Sequence, residues 1–371
     1  MLFFSYWVTN LHFPISGEKE VISVFEAIRG LVYNPTDTID SHVILIDVDY
    51  DKQLVTKTNE FGKPLGDGYP VTDRSKLTRL LSSLKGKDYK YILLDIGFEQ
   101  NEKTEYDSAL YRLISEMDRI VIPCDSLDAL PDTCLYKKAA LGYYEITPIE
   151  SDFVKYPYFG NVKDTILNSM PLKLYEEITN RRVQNKWFFY NESWKLARSS
   201  IVLKLNYLPA KSKWLKLESD LLYGDEIDRL PIKDKYIVIG SCANDEHATY
   251  RGLVSGAIIN FNAYMALISG HHIVSPFLII ILFISFFVFS YLILSRKTLK
   301  ESLEQSGLHK NKWIRIIQRL LVLLCSWIGF SLYLSILCIL TYVLLDEVYD
   351  IFITSTVFSF INLIVKLKLS T

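Results

Sequence analysis

The chain has 371 residues, of which 50% are hydrophobic and 13% aromatic, with only 16 Gly and 12 Pro. That composition excludes disordered and fibrous classes, which are poor in apolar residues or dominated by Gly and Pro. A formal net charge of −1 excludes a global basic footprint for nucleic acid, so no nucleic-acid partner is expected.

Residues 1–39 open on MLFFSYWVTNLHFPI, an apolar and aromatic stretch with no basic n-region and no small-residue cleavage site. It reads as a vestigial or truncated membrane anchor, with a short aromatic segment lying in the interface as the alternative. His42 to Val48 (HVILIDV) is a continuous apolar run with the length of a fully buried strand. After a turn-rich stretch to Pro70, Thr72 or Asp73 caps a helix whose Leu77, Leu80, Leu81 and Leu84 share one face. Tyr89 to Ile96 is a second strand, Asp107 to Met117 a second helix, and Arg119 to Pro123 a third strand. Strand, helix, strand, helix, strand in that order points to α/β layering with a parallel segment.

The middle of the chain is less regular. Gly142 to Asn168 reads as loops and short strands, Met170 to Ile178 as a helix, and Trp187 to Tyr190 as a strand. Ser199 to Leu205 fits either strand or helix. Order returns with the strand Asp234 to Gly240 (DKYIVIG), the loop Ser241 to Asp245, and an apolar helix from Gly256 to Ile268 that stops at Gly270.

Three apolar runs follow. Phe277 to Leu294 and Leu320 to Leu345 are free of charge, and Ile351 to Val365 closes on Lys366 and Lys368. Roughly 20 apolar residues at about 1.5 Å each cross a hydrocarbon core of about 30 Å, so three spans are expected, near 276–295, 319–345 and 350–366. The loop 296–319 carries Arg296, Lys297, Lys300, Lys310, Lys312, Arg315 and Arg319, whereas the second turn carries Asp346, Glu347 and Asp350. The positive-inside rule makes the basic loop cytoplasmic and residues 40–274 extracytoplasmic. Residues 275–371 hold 9 of the 41 Lys+Arg and 5 of the 42 Asp+Glu, leaving the first 274 residues with 32 against 37, a net −5. The expected fold class is therefore an α/β extracytoplasmic domain with a partly parallel mixed sheet, followed by an all-α membrane region of three transmembrane helices.

Candidate chemistry collects at strand ends: Asp47 and Asp49, then Asp95, then Asn244, Asp245 and His247. In open α/β sheets the crevice outside the carboxyl ends of the strands is the usual ligand site. Carboxylates there hold ligands or metals, or, more commonly, order loops and cap helices. No GxxxxGK[ST], GxGxxG or GxSxG motif is present, no residue is nominated as a nucleophile, and no HExxH spacing supports a metal at His247. The expectation is no catalytic residue, no metal and no cofactor. Cys124 and Cys134 are spaced to close a short loop as well as to remain free thiols.

The order of these features resembles the second class of CHASE domains, extracellular sensory domains associated with bacterial cyclases and histidine kinases. The resemblance is carried by IDVD at Ile46 to Asp49, YPVTDR at Tyr69 to Arg74, LLDIGF at Leu93 to Phe98, and Asp107 opening the next helix. It continues in KYIVIG at Lys235 to Gly240, NDEHATYRG at Asn244 to Gly252 and GAIINFNAY at Gly256 to Tyr264, and covers about 40 to 366. It implies sensing outside the cytoplasmic membrane of a bacterium, with the domain in the periplasm or beyond it. Members usually carry a fused output domain, and the chain shows none before Thr371, so the effector is expected on a separate chain.

The leading expectation is a membrane-anchored, non-catalytic sensor or interaction protein that binds a ligand near Asp47, Asp49, Asp95 and Asn244 to His247. Its partners are the membrane and a cytoplasmic or membrane effector protein, with a homo-oligomer also allowed. The basic residues from Arg296 to Arg319 would face that effector or anionic lipid. The rivals are a membrane-tethered, metal-assisted hydrolase using Asp47, Asp49, Asp95 and His247, and a structural subunit of an envelope assembly.

Overall fold

Val43, Leu45, Tyr91, Leu93 and Val238 fall in one buried cluster, while Ile44, Ile46, Ile92, Leu94 and Ile239 fall in another. A period of two sends successive side chains to opposite faces of a strand, so both faces of one sheet are covered. The computed structural model describes residues 39–56, 68–99, 104–142, 153–162, 165–186, 189–295 and 312–345, with short pieces at 6–7, 10, 22–28, 63, 102, 355–357, 359–361 and 364.

The sheet has six strands: β1 (Val43–Asp47), β2 (Tyr91–Leu94), β3 (Ile120–Cys124), β4 (Ala139–Leu141), β5 (Trp214–Lys216) and β6 (Tyr236–Gly240). Their spatial order is β5-β1-β6-β2-β3-β4. Every pairing is parallel. The expected mixed sheet is thus corrected. Antiparallel pairs occur among the described residues in five separate small sheets of two or three strands and at the isolated bridge between Ala197 and Ile273. The reason is coverage: helices on both faces favour parallel crossovers, and hairpins are left to the periphery.

Helices α1 (Arg74–Leu84) and α2 (Asp107–Glu116) pack on the face of Ile44 and Ile239. Asp73 caps α1, its Oδ1 accepting from the amides of Ser75 at 2.9 Å and Lys76 at 3.1 Å, which satisfies two of the helix's orphan donors. Helices α3 (Met170–Thr179) and α4 (Gly256–Ile268) cover the opposite face. The stretch Ser200–Val202 is a strand paired with Lys155–Pro157, and Phe189–Glu192 is the middle strand of a three-stranded meander. Cys124 and Cys134 are both free thiols.

After α4 the chain turns at Gly270, where φ is +80°, and residues 272–274 pair antiparallel with residues 196–198 before α5 (Pro276–Ser295) begins. A second long helix, α6 (Lys312–Leu345), returns alongside it. Leu278, Leu282 and Phe286 share a buried cluster with Leu334, Cys338 and Tyr342, and the Ser285 and Tyr333 hydroxyls meet at 3.0 Å. The far end of α6 comes back to the α/β domain. There the Tyr342 hydroxyl bonds Glu26, and Lys204 lies 3.8 Å over the Tyr342 ring.

Among the described residues no helix is long and apolar enough to cross a membrane; the described side chains of α5 end at Tyr291. Arg296, Lys297, Lys300 and Lys310, and most of the expected N-terminal anchor and third span, lie outside the described residues. Lys312, Arg315 and Arg319 stand on helical backbone of α6 rather than in a loop, so the connecting segment is shorter than 296–319; their side chains lie outside the described residues.

Candidate functional site

Parallel pairing places three carboxyl strand ends side by side. Asp47 is in register with Gly240, and Leu94 with Ile239. The chain leaves β1 and β2 towards the face of α1 and α2, and leaves β6 towards the face of α4. That reversal around β6 is the kind of switch point where open α/β sheets form a crevice. The expected residues all reach this edge, yet they divide into two groups with different work.

Asp47 and Asp49 hold the loop after β6. Oδ1 of Asp47 accepts from the amides of Asp49 at 3.0 Å and Cys242 at 3.1 Å. Oδ2 of Asp49 accepts from the Ala243 amide at 2.6 Å, and its Oδ1 from the Ser241 hydroxyl. The Ser241 Oγ in turn accepts from the amides of Asn244 and Asp245, each at 2.9 Å. Burial pushes Asp47 above the usual carboxylate range against its two amide bonds. At Asp49 burial acts in the same direction, but the Ser241 and Ala243 bonds outweigh it and keep that carboxyl low. Both side chains are buried, and their oxygens order the loop after β6.

Asp95, Asp245 and His247 form the second group. Nε2 of His247 is 3.1 Å from Oδ1 of Asp245, and its ring stands edge-on to Phe153 at 5.2 Å. The hydrogen bond to Asp245 raises the His247 pKa, against partial desolvation. Asp95 is half-buried. Burial, then the Asp245 charge, pushes its pKa up to about 7, with the Asn260 hydrogen bond and His247 opposing. Two carboxyl groups and an imidazole are thus gathered at one edge of the sheet. Asn244 stands in the loop with its amide on Ser241.

The first turn of α4 closes the site. Gly256 donates its amide to the Asp245 carbonyl at 2.9 Å, and a Cβ at Gly256 would sit 2.5 Å from Asp245 Oδ2 and 3.3 Å from His247 Nε2. Gly240 is needed for the same reason, because a Cβ there would sit 2.7 Å from Cβ of Ala257. Asn260, one turn into α4, donates Nδ2 to Asp95 Oδ2 at 3.4 Å and accepts from the Tyr156 hydroxyl. Asn260, Tyr156, Phe153 and Ser241 were not among the expected site residues. The legible signal for Asn260 is an amide inside an otherwise apolar helix; Tyr156 and Phe153 carry none, since they arrive from a distant strand region.

Among the described residues no group of three or more His, Cys, Asp or Glu side chains is placed to hold a metal ion. Of the four residues of the hydrolase alternative, Asp47 and Asp49 belong to the loop scaffold and Asp95 and His247 to the second group. No curated protein and no solved structure matches the chain. The family model of the CHASE2 domain matches residues 18–294, taking in the helical residues 22–28 and ending inside α5. With three strand ends, the loop after β6 and α4 all inside that match, the chain belongs to the CHASE2 family of sensory domains.

Proposed function

We propose that this protein is a membrane-anchored, non-catalytic sensor whose crevice at Asp95, Asp245 and His247 receives a signal that α4 carries to the membrane helices and on to an effector protein. The observation that carries the reading is the continuity of α4. Its first turn touches Asp245 and His247, its Asn260 touches Asp95, and it runs 13 residues to the turn at Gly270. Six residues later α5 begins, with His272 between them pinned to Glu192 at 2.9 Å. A rigid helix of about 20 Å transmits displacement at one end to the other.

The membrane part rests on α5 and α6. Ile280, Phe283 and Phe287 on α5, and Leu332, Ile336 and Leu340 on α6, are all exposed. So many large apolar side chains in water would be an aggregation liability, whereas lipid accommodates them. The asymmetry of basic segment and acidic turn in the sequence then supports a cytoplasmic position for 296–311 and an extracytoplasmic one for the α/β domain.

The test uses the full chain in vesicles with cysteines at Ser285 and Tyr333, which touch across α5 and α6. The disulfide crosslinking rate is compared with and without Gly256→Ala or Asp245→Asn in the crevice. Coupling free energies of about 1–3 kcal/mol predict a change of roughly fivefold or more. Identical rates in variants that retain the wild-type fold would remove the transmission claim, and failure to resist carbonate extraction would remove the anchoring claim.

A further inference from the structure

Among the described residues, Trp194 is the most exposed large apolar side chain, at 81%. It occupies the turn between the meander strands Phe189–Glu192 and Lys195–Ala197, beside Ser193 with φ +56° and the exposed Lys195. The Lys195–Ala197 strand is the one clamped to the linker between α4 and α5. The Arg198 amide donates to the His272 carbonyl at 2.8 Å, Ala197 bridges Ile273, and the Val274 amide donates to the Leu196 carbonyl at 2.9 Å.

That ladder is antiparallel, and its register has a direction. As the linker advances from His272 to Val274, the partner strand retreats from Arg198 to Leu196. Continued by two residues, the register sets Trp194 level with Pro276, the first residue of α5, about 7 Å beyond Leu196. The first turn of α5 exposes Phe277 and Ile280. An indole, a lysine and the apolar start of a long helix therefore follow the same end of one ladder.

We propose that the Trp194 turn is an interfacial foot that inserts into the headgroup layer of the membrane on the side where the α/β domain sits. The proposal rests on the membrane reading given above. An indole has an apolar body and one N–H donor, the combination enriched where hydrocarbon meets water, and a neighbouring lysine extends its ammonium to the headgroups. A protein partner fits less well. The indole is flanked by Ser193 and Lys195 on a tight turn, not by the broad apolar patch that a stable interface buries. Because the foot directly precedes the strand of the linker clamp, lipid contact at Trp194 fixes the height at which α4 hands over to α5.

The experiment places the full chain in phosphatidylcholine–phosphatidylglycerol vesicles carrying nitroxide lipids with the label shallow or deep, and reads Trp emission in wild type, Trp194→Phe, Trp194→Tyr and Trp327→Phe. Expected is a loss, in both Trp194 variants, of shallow-label quenching by about the share of one Trp in six, with deep-label quenching of Trp327 retained. Unchanged shallow quenching in the Trp194 variants, with Trp327 still quenched by the deep label, overturns the foot alone. Loss of emission accessible only to aqueous iodide, or protection that persists in detergent through a second copy, overturns it as well. Absence of deep-label quenching at Trp327 overturns the membrane reading and the foot together.

Discussion

Asn260 Nδ2 lies 3.4 Å from Asp95 Oδ2, joining the carboxyl end of β2 to α4 one turn inside the helix. Burial with the Asp245 charge raises the pKa of that carboxyl from 3.8 to about 7. A carboxyl with a raised folded pKa binds protons more tightly in the folded state. Its stabilisation is therefore complete below the unfolded value and is lost as pH rises through about 7. Asp95→Asn keeps the shape and removes the ionisation. It is expected to raise stability at pH 8, by at most about 4 kcal/mol, and to flatten the loss between pH 4 and 7. Urea unfolding across that range checks the slope, and a variant less stable than wild type at pH 8 contradicts it.

Gly240 and Gly256 are expected to respond differently to alanine. At Gly240 the new Cβ meets Cβ of Ala257, which cannot swing aside. Overpacking of that kind costs about 1–3 kcal/mol. At Gly256 the nearest atom is the end of the half-exposed Asp245 side chain, which can rotate. Gly256→Ala is expected to stay within about 1 kcal/mol of wild type while breaking the Asp245–His247 contact. The His247 pKa then falls towards 6.5, as NMR titration of the ring would report.

His272 and Glu192 set the acid limb of stability. Burial lowers the His272 pKa below 6.5, opposed by Glu192, with Arg181 and Lys195 lowering it further. The unfolded state then binds the extra proton first, so stability is full above pH 6.5 and declines as pH falls towards the folded value. Glu192 is lowered by bonds from Tyr175 and His272, which outweigh its own burial, and its contribution disappears at still lower pH. His272→Gln is expected to remove the first decline and keep the second. A two-step loss that survives in the variant would assign the first step elsewhere.

Tyr158 is fully buried and its hydroxyl has no hydrogen-bond partner among the described residues. Removing an unsatisfied buried hydroxyl is neutral or stabilising, whereas removing a satisfied one costs about 1 kcal/mol. Tyr158→Phe is expected to leave the melting temperature unchanged or higher. A clear decrease would reveal a bound water on that hydroxyl.

Glu26 brings the N-terminal helical residues, the α/β domain and α6 together. It lies 3.6 Å from both Lys204 and Arg251 and accepts from the Tyr342 hydroxyl, and the Lys204 and Glu26 side chains are buried. Breaking one partner of a buried pair costs about 3–5 kcal/mol. Lys204→Met is expected to destabilise by that order and to raise hydrogen exchange at residues 22–28 and at the end of α6. Exchange confined to the site of substitution would show that the junction is not cooperative.

Local patterns were enough to locate β1, α1, β2, α2, β3, α3, β6, α4 and the helix 276–295, because apolar period and capping are properties of neighbouring residues. Asp73 shows how far that goes: its side chain caps α1 as its position implies. Asp47 and Asp49 show where it stops. As strand-end acids they looked equivalent to Asp95, yet their oxygens are spent on amides of residues 242 and 243, nearly 200 positions away.

Sequence alone determined the strands β1, β2, β3 and β6, the helices α1 to α4, and the family to which the chain belongs. Only the tertiary structure decided that β6 inserts between β1 and β2, that the short segment Trp214–Lys216 is the edge strand, and that Tyr156 and Phe153 reach the crevice. A fully buried strand is apolar on both faces, so its composition carries no record of its neighbours. Strand order and the partners of a buried carboxylate follow instead from long-range pairing and from the demand that every buried polar group be hydrogen-bonded.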